Sequence, residues 1–188
     1  MPTPDRTSLD EIVAAGRALL ESEGLAGLTM QAVATRVGVR APSLYKRVRN
    51  RAELVARVAE AAARELGERL DAAAASAADA RERLMVLART FRGFAHERPA
   101  AFGLLFTPGR DLPIDLDALQ QASASMLEVA AELSGPEHAL DSARTLTAWA
   151  NGFVSMELAG AFRLGGDVER AFEYGVHRLA DALAERPS

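Results

Sequence analysis

The chain of 188 residues contains no cysteine. That excludes disulfides and cysteine–zinc sites, and it fits a reducing cytosol. It has no run of about 18 apolar residues, the minimum for a membrane-spanning helix. The first residues, MPTPDRTSLDE, lack the charged and apolar regions of a signal peptide. A cytoplasmic protein with no membrane partner is therefore expected. Strand formers are sparse and alanine abounds, so an all-α fold is expected. No Walker loop, Rossmann glycine pattern or nucleophile elbow occurs. The three histidines, His96, His138 and His177, fall in separate expected elements without metal-ligand spacing. No metal, no cofactor and no catalytic residue is expected, and RLGGD (Arg163 to Asp167) reads as a turn.

What is present is unevenly distributed. Apolar residues make up 49% of the chain, enough for a core. Residues 1–70 carry 11 Lys+Arg against 9 Asp+Glu, whereas residues 71–188 carry 11 against 17. Between Arg36 and Arg51 stand Arg36, Arg40, Lys46, Arg47, Arg49 and Arg51, with no acidic residue among them. A basic front and an acidic back suggest a nucleic-acid end and an end of another kind.

Periodicity supplies the elements. A loose arm covers residues 1–7. Ser8 with Glu11 forms a capping box ahead of Leu9, Ile12, Val13, Gly16, Leu19 and Leu20 at helical spacing, and Gly24 and Gly27 stop that helix. Thr29 caps a second helix with Met30, Val33, Ala34 and Val37 inward. Gly38 supplies the positive φ of a tight turn. A third helix is predicted from about Ala41 to Val48, with Leu44 and Val48 inward and Pro42 in its first turn. Asn50 and Glu53 form a second capping box, opening a long helix with Leu54, Val55, Val58, Ala62 and Leu66 on one face.

The segment Asp71 to Ala80 is a composition shift, read as a loop or a frayed helical joint. Asp79 with Glu82 caps the next helix, whose inner face is Leu84, Leu87, Ala88, Phe91, Phe94 and Ala95 and which ends at Pro99. A short helix follows from Ala100 to Phe106, then a Pro/Gly/Asp-rich loop from Thr107 to Asp115. Helices are predicted at about Leu116 to Leu133, Glu137 to Phe162, and Asp167 to Glu185.

Residues 28–50 meet the demands of a helix-turn-helix. The second helix of such a unit lies in the major groove, so it needs a tight turn before it, an apolar inner side and a polar, basic outer side. Gly38 gives the first. Val33, Val37, Leu44 and Val48 give the second. Arg40, Ser43, Lys46 and Arg47 give the third.

From Leu28 to Val55 the pattern LT…AVATRVGV…PSLYKRVRNRAELV resembles the tetracycline-repressor (TetR) family of bacterial transcription regulators. The resemblance implies that Arg40, Ala41, Pro42, Ser43 and Arg47 face base edges or adjacent sugars. It implies that Thr29, Tyr45 and Arg51 meet phosphates. Lys46 is a further candidate, for base or phosphate. Arg40 stands where the family often has a capping serine or threonine, and Val48 replaces a common aromatic.

RPAAFGLLFTPG (Arg98 to Gly109) and WANGFVSMELAGAFRLGGDVERAF (Trp149 to Phe172) resemble the WHG-type effector domain of one branch of that family, with Asn151 at the usual histidine. This implies a three-helix DNA-binding head over residues 1–70 and a helical effector-binding and dimerisation domain over residues 71–188. The implied partners are an operator duplex, an unknown small-molecule effector and a second copy of the chain. Candidates for the effector pocket are Phe91, Phe94, Phe102, Phe106, Met126, Trp149, Asn151 and Met156. Candidates for the dimer interface are Phe153, Gly160, Phe172, Val176, Leu179 and Leu183. Glu157 and Asn151, polar in an apolar run, either orient a ligand or bond within or between subunits. The rival reading is an α-helical enzyme or small-ligand carrier with an incidental basic patch.

Overall fold

A computed structural model describes residues 7–106 and 116–184, and among these it contains nine helices and no strand. The expected arm, apart from Thr7, and the loop at 107–115 lie outside the described residues. The chain divides into two compact units: Met1–Glu65 with Arg98–Leu119, and Leu66–Glu97 with Gln120–Ser188.

In the first unit, α1 (Leu9–Gly27) starts at the expected capping box. Ser8 Oγ accepts the Glu11 amide at 3.1 Å, and the Glu11 carboxylate accepts the Ser8 amide at 2.8 Å. Both expected stops appear: helical geometry breaks at Gly24, with φ 68° and ψ −175°, and the last turn ends at Gly27. Thr29 caps α2 (Met30–Arg36), its hydroxyl accepting from the Ala32 amide. Gly38, at φ 73°, closes α2: its amide bonds Thr35 O and the Val39 amide bonds Ala34 O. These paired bonds are a Schellman stop, which the left-handed conformation of glycine makes cheap.

Helix α3 (Ala41–Leu44) is a single turn, shorter than the predicted span to Val48. The chain keeps winding as turns, with the Arg47 and Val48 amides both bonding Leu44 O. No side chain caps its start at Arg40. In α4 (Arg51–Ala74) the predicted inward residues Leu54, Val55, Val58, Ala62 and Leu66 are all buried. The division between units falls within this helix, after Glu65. Gly16 of α1 lets α4 come close, since a Cβ there would meet Val58 Cγ2 at 2.8 Å.

Helix α6 (Pro99–Phe106) also belongs to this unit, unlike the continuous division at residue 70 expected from sequence. The reason is physical. The Glu21 carboxylate of α1 accepts the Ala100 and Ala101 amides at 3.2 and 3.0 Å, satisfying donors that a helix start leaves open. Pro99, expected to end the preceding helix, opens this one.

In the second unit, α5 (Ala80–Glu97) buries Leu84, Leu87, Ala88, Phe91, Phe94 and Ala95 as predicted. Its four arginines tie it to every other helix of the unit that follows it. Arg81 pairs with Asp181 and Arg89 with Glu173, both on α9 (Val168–Ala184). Arg83 pairs with Glu132 on α7 (Leu116–Ser134). Arg92 grips Glu157 on α8 (Ala139–Leu158) in fork geometry, at 2.8 and 2.6 Å. His96 Nε2 lies 3.2 Å from the same carboxylate.

Helix α8 ends four residues before the predicted Phe162. Gly160, at φ 64°, forms a second Schellman stop: its amide bonds Glu157 O and the Ala161 amide bonds Met156 O. Asp167 caps α9 as expected, accepting the Arg170 amide.

Two outcomes follow. Gly38→Ala should cost about 1–2 kcal/mol, the penalty of a side chain in the left-handed region. Because a Cβ there meets nothing within 4 Å, the loss is purely conformational and should show in a urea unfolding curve. Glu157 is held below the ordinary glutamate value of 4.5 by its hydrogen bonds from Arg92. A lowered folded pKa means stability that is complete above 4.5 and is lost as pH falls through the folded value. Glu157→Gln should therefore flatten the fall in urea midpoint on acidification, and an unchanged slope would show that the pair contributes nothing.

Candidate nucleic-acid interface and effector cavity

The basic segment has two sides. Leu44 is fully buried and Val48 is 1% exposed, so these two pin the segment to the head. On the other side Pro42, Ser43, Tyr45, Lys46 and Arg47 are exposed, and Ala41 is half-buried. Tyr45 is 53% exposed and has no ring partner among the described residues. Arg36 and Arg40 are exposed as well, and with Lys46 they form no ion pair among the described residues. Thr29 uses its oxygen as a cap acceptor, which leaves the hydroxyl hydrogen available to donate.

Arg49 and Arg51 are committed inside the chain. Arg49 bonds the Glu53 carboxylate through both its amide and its Nε, each at 2.9 Å. Those bonds, the amide first, hold the Glu53 carboxyl below its usual range. The expected capping box at Asn50 is thus offset by one residue. Asn50 Oδ1 accepts the Glu53 amide, but Glu53 reaches back to Arg49 instead of Asn50. Asp79 and Glu82 show the same offset, with Glu82 reaching Ala78.

Arg51, expected at a phosphate, donates Nε to Leu28 O at 2.8 Å and Nη2 to Leu25 O at 2.5 Å. It neutralises the carbonyl end of α1, where a cation is favoured. Nothing in the local sequence signals this, because the acceptors are backbone atoms more than 20 residues away.

The second unit encloses a cavity of about 30 Å³. Leu84, Ala88 and Phe91 of α5, Met126 of α7, Leu146, Thr147, Trp149 and Ala150 of α8, and Val176 of α9 line it. Of the expected pocket residues, Phe91, Met126 and Trp149 meet here. The others do not. Phe94 is 1% exposed with the Arg69 guanidinium over its ring, a core position. Phe102 and Phe106 pack on one another, 5.0 Å apart, in α6 of the first unit. Asn151 accepts from Ser155 Oγ, and Met156 is 49% exposed. Glu157 bonds within the chain, to Arg92, instead of facing a ligand.

The expected dimer residues also separate. Phe172 and Val176 are 1% and 2% exposed in their own unit, so they have no surface left for a partner. Phe172 stacks on Trp149 at 5.3 Å, packs edge-on to Phe153 and carries the Arg92 guanidinium. Phe153, Leu179 and Leu183 are half-buried. Gly160, expected inside the helix, terminates α8 instead. The apolar groups that α8 and α9 leave exposed are Leu140, Met156, Leu158 and Tyr174.

A tight turn, a pinned short helix and an outward basic side define a helix-turn-helix regulator that binds duplex DNA. Residues 6–58 match the bacterial regulatory proteins of the tetR family, and residues 84–179 match the tetracyclin repressor-like C-terminal domain. The chain belongs to the tetR family of bacterial regulatory proteins and is a DNA-binding transcription regulator, not an enzyme.

The uncharacterized HTH-type transcriptional regulator Rv0681 of Mycobacterium tuberculosis is 29% identical over 188 residues, covering 97% of this chain and 84% of that protein. The class E tetracycline repressor of Escherichia coli is 41% identical over 56 residues, 30% of this chain and 26% of that protein. A protein of unknown function from Rhodococcus sp. RHA1 shares the fold at TM-score 0.80 and 23% identity, over 98% and 100% of the two chains. A TetR variant from Acinetobacter baumannii AYE, solved in complex with minocycline, does so at TM-score 0.69 and 22% identity, over 94% and 96%. Among the described residues no helix is long and apolar enough to cross a membrane, and no group of three His, Cys, Asp or Glu is placed to hold a metal ion.

Arg47→Ala should cost about 1–3 kcal/mol of operator affinity and relax selectivity at one base pair if Arg47 reads a guanine. Arg51→Ala should differ in kind. It should lower the unfolding midpoint as well as DNA affinity, because it frees the α1 carbonyls. Parallel melting curves and gel shifts distinguish the two.

Proposed function

We propose that the protein is a homodimeric repressor of the WHG branch, released from a near-palindromic operator by a small molecule and acting in the cytoplasm. Residues 1–65 of the first unit carry the DNA contacts, and the second unit, residues 66–97 and 120–188, carries effector binding and dimerisation. The observation that carries the reading is the outward basic side of residues 40–47, held by Leu44 and Val48. Arg40, Ala41, Pro42, Ser43 and Arg47 face bases or sugars. Thr29, Tyr45 and Lys46 meet phosphates. Arg51 contributes chiefly by fixing the junction of α1 and α4.

Trp149 and Gly152 preserve the branch motif, and Asn151 replaces its histidine. The cavity around Trp149 is the effector site. A solved neighbour holding minocycline supports a family habit of binding small molecules, though at 22% identity it does not identify this effector. For the dimer, an apolar face including Met156 and Tyr174 is what α8 and α9 offer a second copy. Two heads of one dimer then meet successive major grooves about 34–36 Å apart.

A gel-shift titration against the DNA upstream of its own gene tests this. A selective shift that weakens steeply between low and moderate salt is expected, because phosphate contacts release counterions. Indifference to sequence at every salt concentration would favour the incidental basic patch.

A further inference from the structure

We propose that the effector is a small, uncharged, largely apolar molecule, aromatic or of similar shape, held against Trp149 in the cavity among α5, α7, α8 and α9. This rests on the reading of the second unit as an effector domain. Among the described residues the lining is Leu, Ala, Phe, Met, Thr, Trp and Val, with no charged side chain, and Thr147 and Trp149 are the lining residues whose side chains carry a polar group. A carboxylate or ammonium placed there would lose its water and find no counter-charge.

The arginines of α5 and Glu157 of α8 are engaged elsewhere. Arg81, Arg83, Arg89 and Arg92 each hold an acidic partner, and Glu157 is gripped from two sides by Arg92 and His96. The asymmetry is informative. A site for a charged or hydrogen-bond-rich ligand keeps at least one such group facing inward.

Size gives the second constraint. The cavity of about 30 Å³ is far below the roughly 300–1,000 Å³ of ligand pockets, so the ligand must displace wall atoms. Met126 is the wall residue suited to move, being unbranched, flexible and half-buried. Trp149 is less able to move. Its ring packs close on Gly175 of α9, where an added Cβ would come within 2.8 Å of Trp149 Cη2, and it stacks on Phe172. The ligand therefore enters on the Met126 side and rests on a fixed indole.

The chain has one tryptophan, so its emission reports this site alone. Toluene, benzoate and benzylammonium share a ring and differ in charge. Full-length protein should show saturable perturbation of Trp149 emission by toluene, with both charged analogues weaker by about tenfold or more. Met126→Ala, which makes room, should tighten toluene and leave benzoate weak. Ala150→Leu, which fills the cavity, should abolish toluene binding while circular dichroism keeps the helical signal of the wild type.

Equal binding of benzoate or benzylammonium would overturn the proposal, as would toluene binding that Ala150→Leu leaves unchanged. Absence of any toluene response in both wild type and Met126→Ala would do the same. A charged compound that releases the protein from its upstream DNA would sink this ligand class while leaving the effector-responsive reading intact. Failure of the gel shift itself would sink that reading first.

Discussion

A single helical turn has almost no stability of its own, since nucleation costs more than one hydrogen bond returns. Helix α3 is such a turn, and it lacks a side-chain cap. Its orientation is therefore imposed from outside, by burial of Leu44 and Val48. Each contributes on the order of 1.5–3 kcal/mol on leaving water. The Schellman stop at Gly38 sets where that turn begins. Everything that makes the outer side basic depends on this arrangement, because rotating the segment would bury guanidinium groups and expose leucine. Tyr45 fits the same logic. With its hydrophobic neighbours turned inward, it stands in solvent unless a partner covers it.

The second unit is organised by a different principle. Its charges gather on α5, whose arginines reach acidic residues of α7, α8 and α9. Most of these pairs are partly exposed, and each is worth little alone. Their effect is on placement: they fix which helix stands beside α5 and keep charge at the periphery. The interior is left to aromatic and aliphatic groups, with Trp149, Phe153 and Phe172 packed together and a small cavity at Trp149.

Much of this was legible in the sequence because helices advertise themselves by period and by caps. Ser8, Thr29, Asn50, Asp79 and Asp167 all cap where their spacing says, and the inner faces of α4 and α5 are buried residue for residue. What escaped was tertiary. Periodicity shows that Phe172 and Val176 lie on an apolar face, but not whether the cover is α5 of the same chain or another copy. Charge marks Arg51 as a cation near a helix start, but not that the carbonyls of Leu25 and Leu28 fold back to meet it. Gly160 reads as a small residue inside a helix until its positive φ makes it a terminator. Phe102 and Phe106 share the aromatic character of the cavity wall, yet Glu21 draws α6 to α1 in the other unit. Thr147 carries no local signal at all.

A regulator needs its effector to prefer one conformation, for a ligand that binds two states equally shifts neither. On the proposed reading the smallness of the cavity would supply that preference, since a molecule the size of a substituted ring would bind there only with rearrangement of α5, α7, α8 and α9. The chain crosses between the units three times, after Glu65 in α4, at Arg98 ahead of α6, and after Leu119 in α7. Within the first unit, Glu21 holds the first turn of α6 and Arg51 holds the carbonyls at the end of α1.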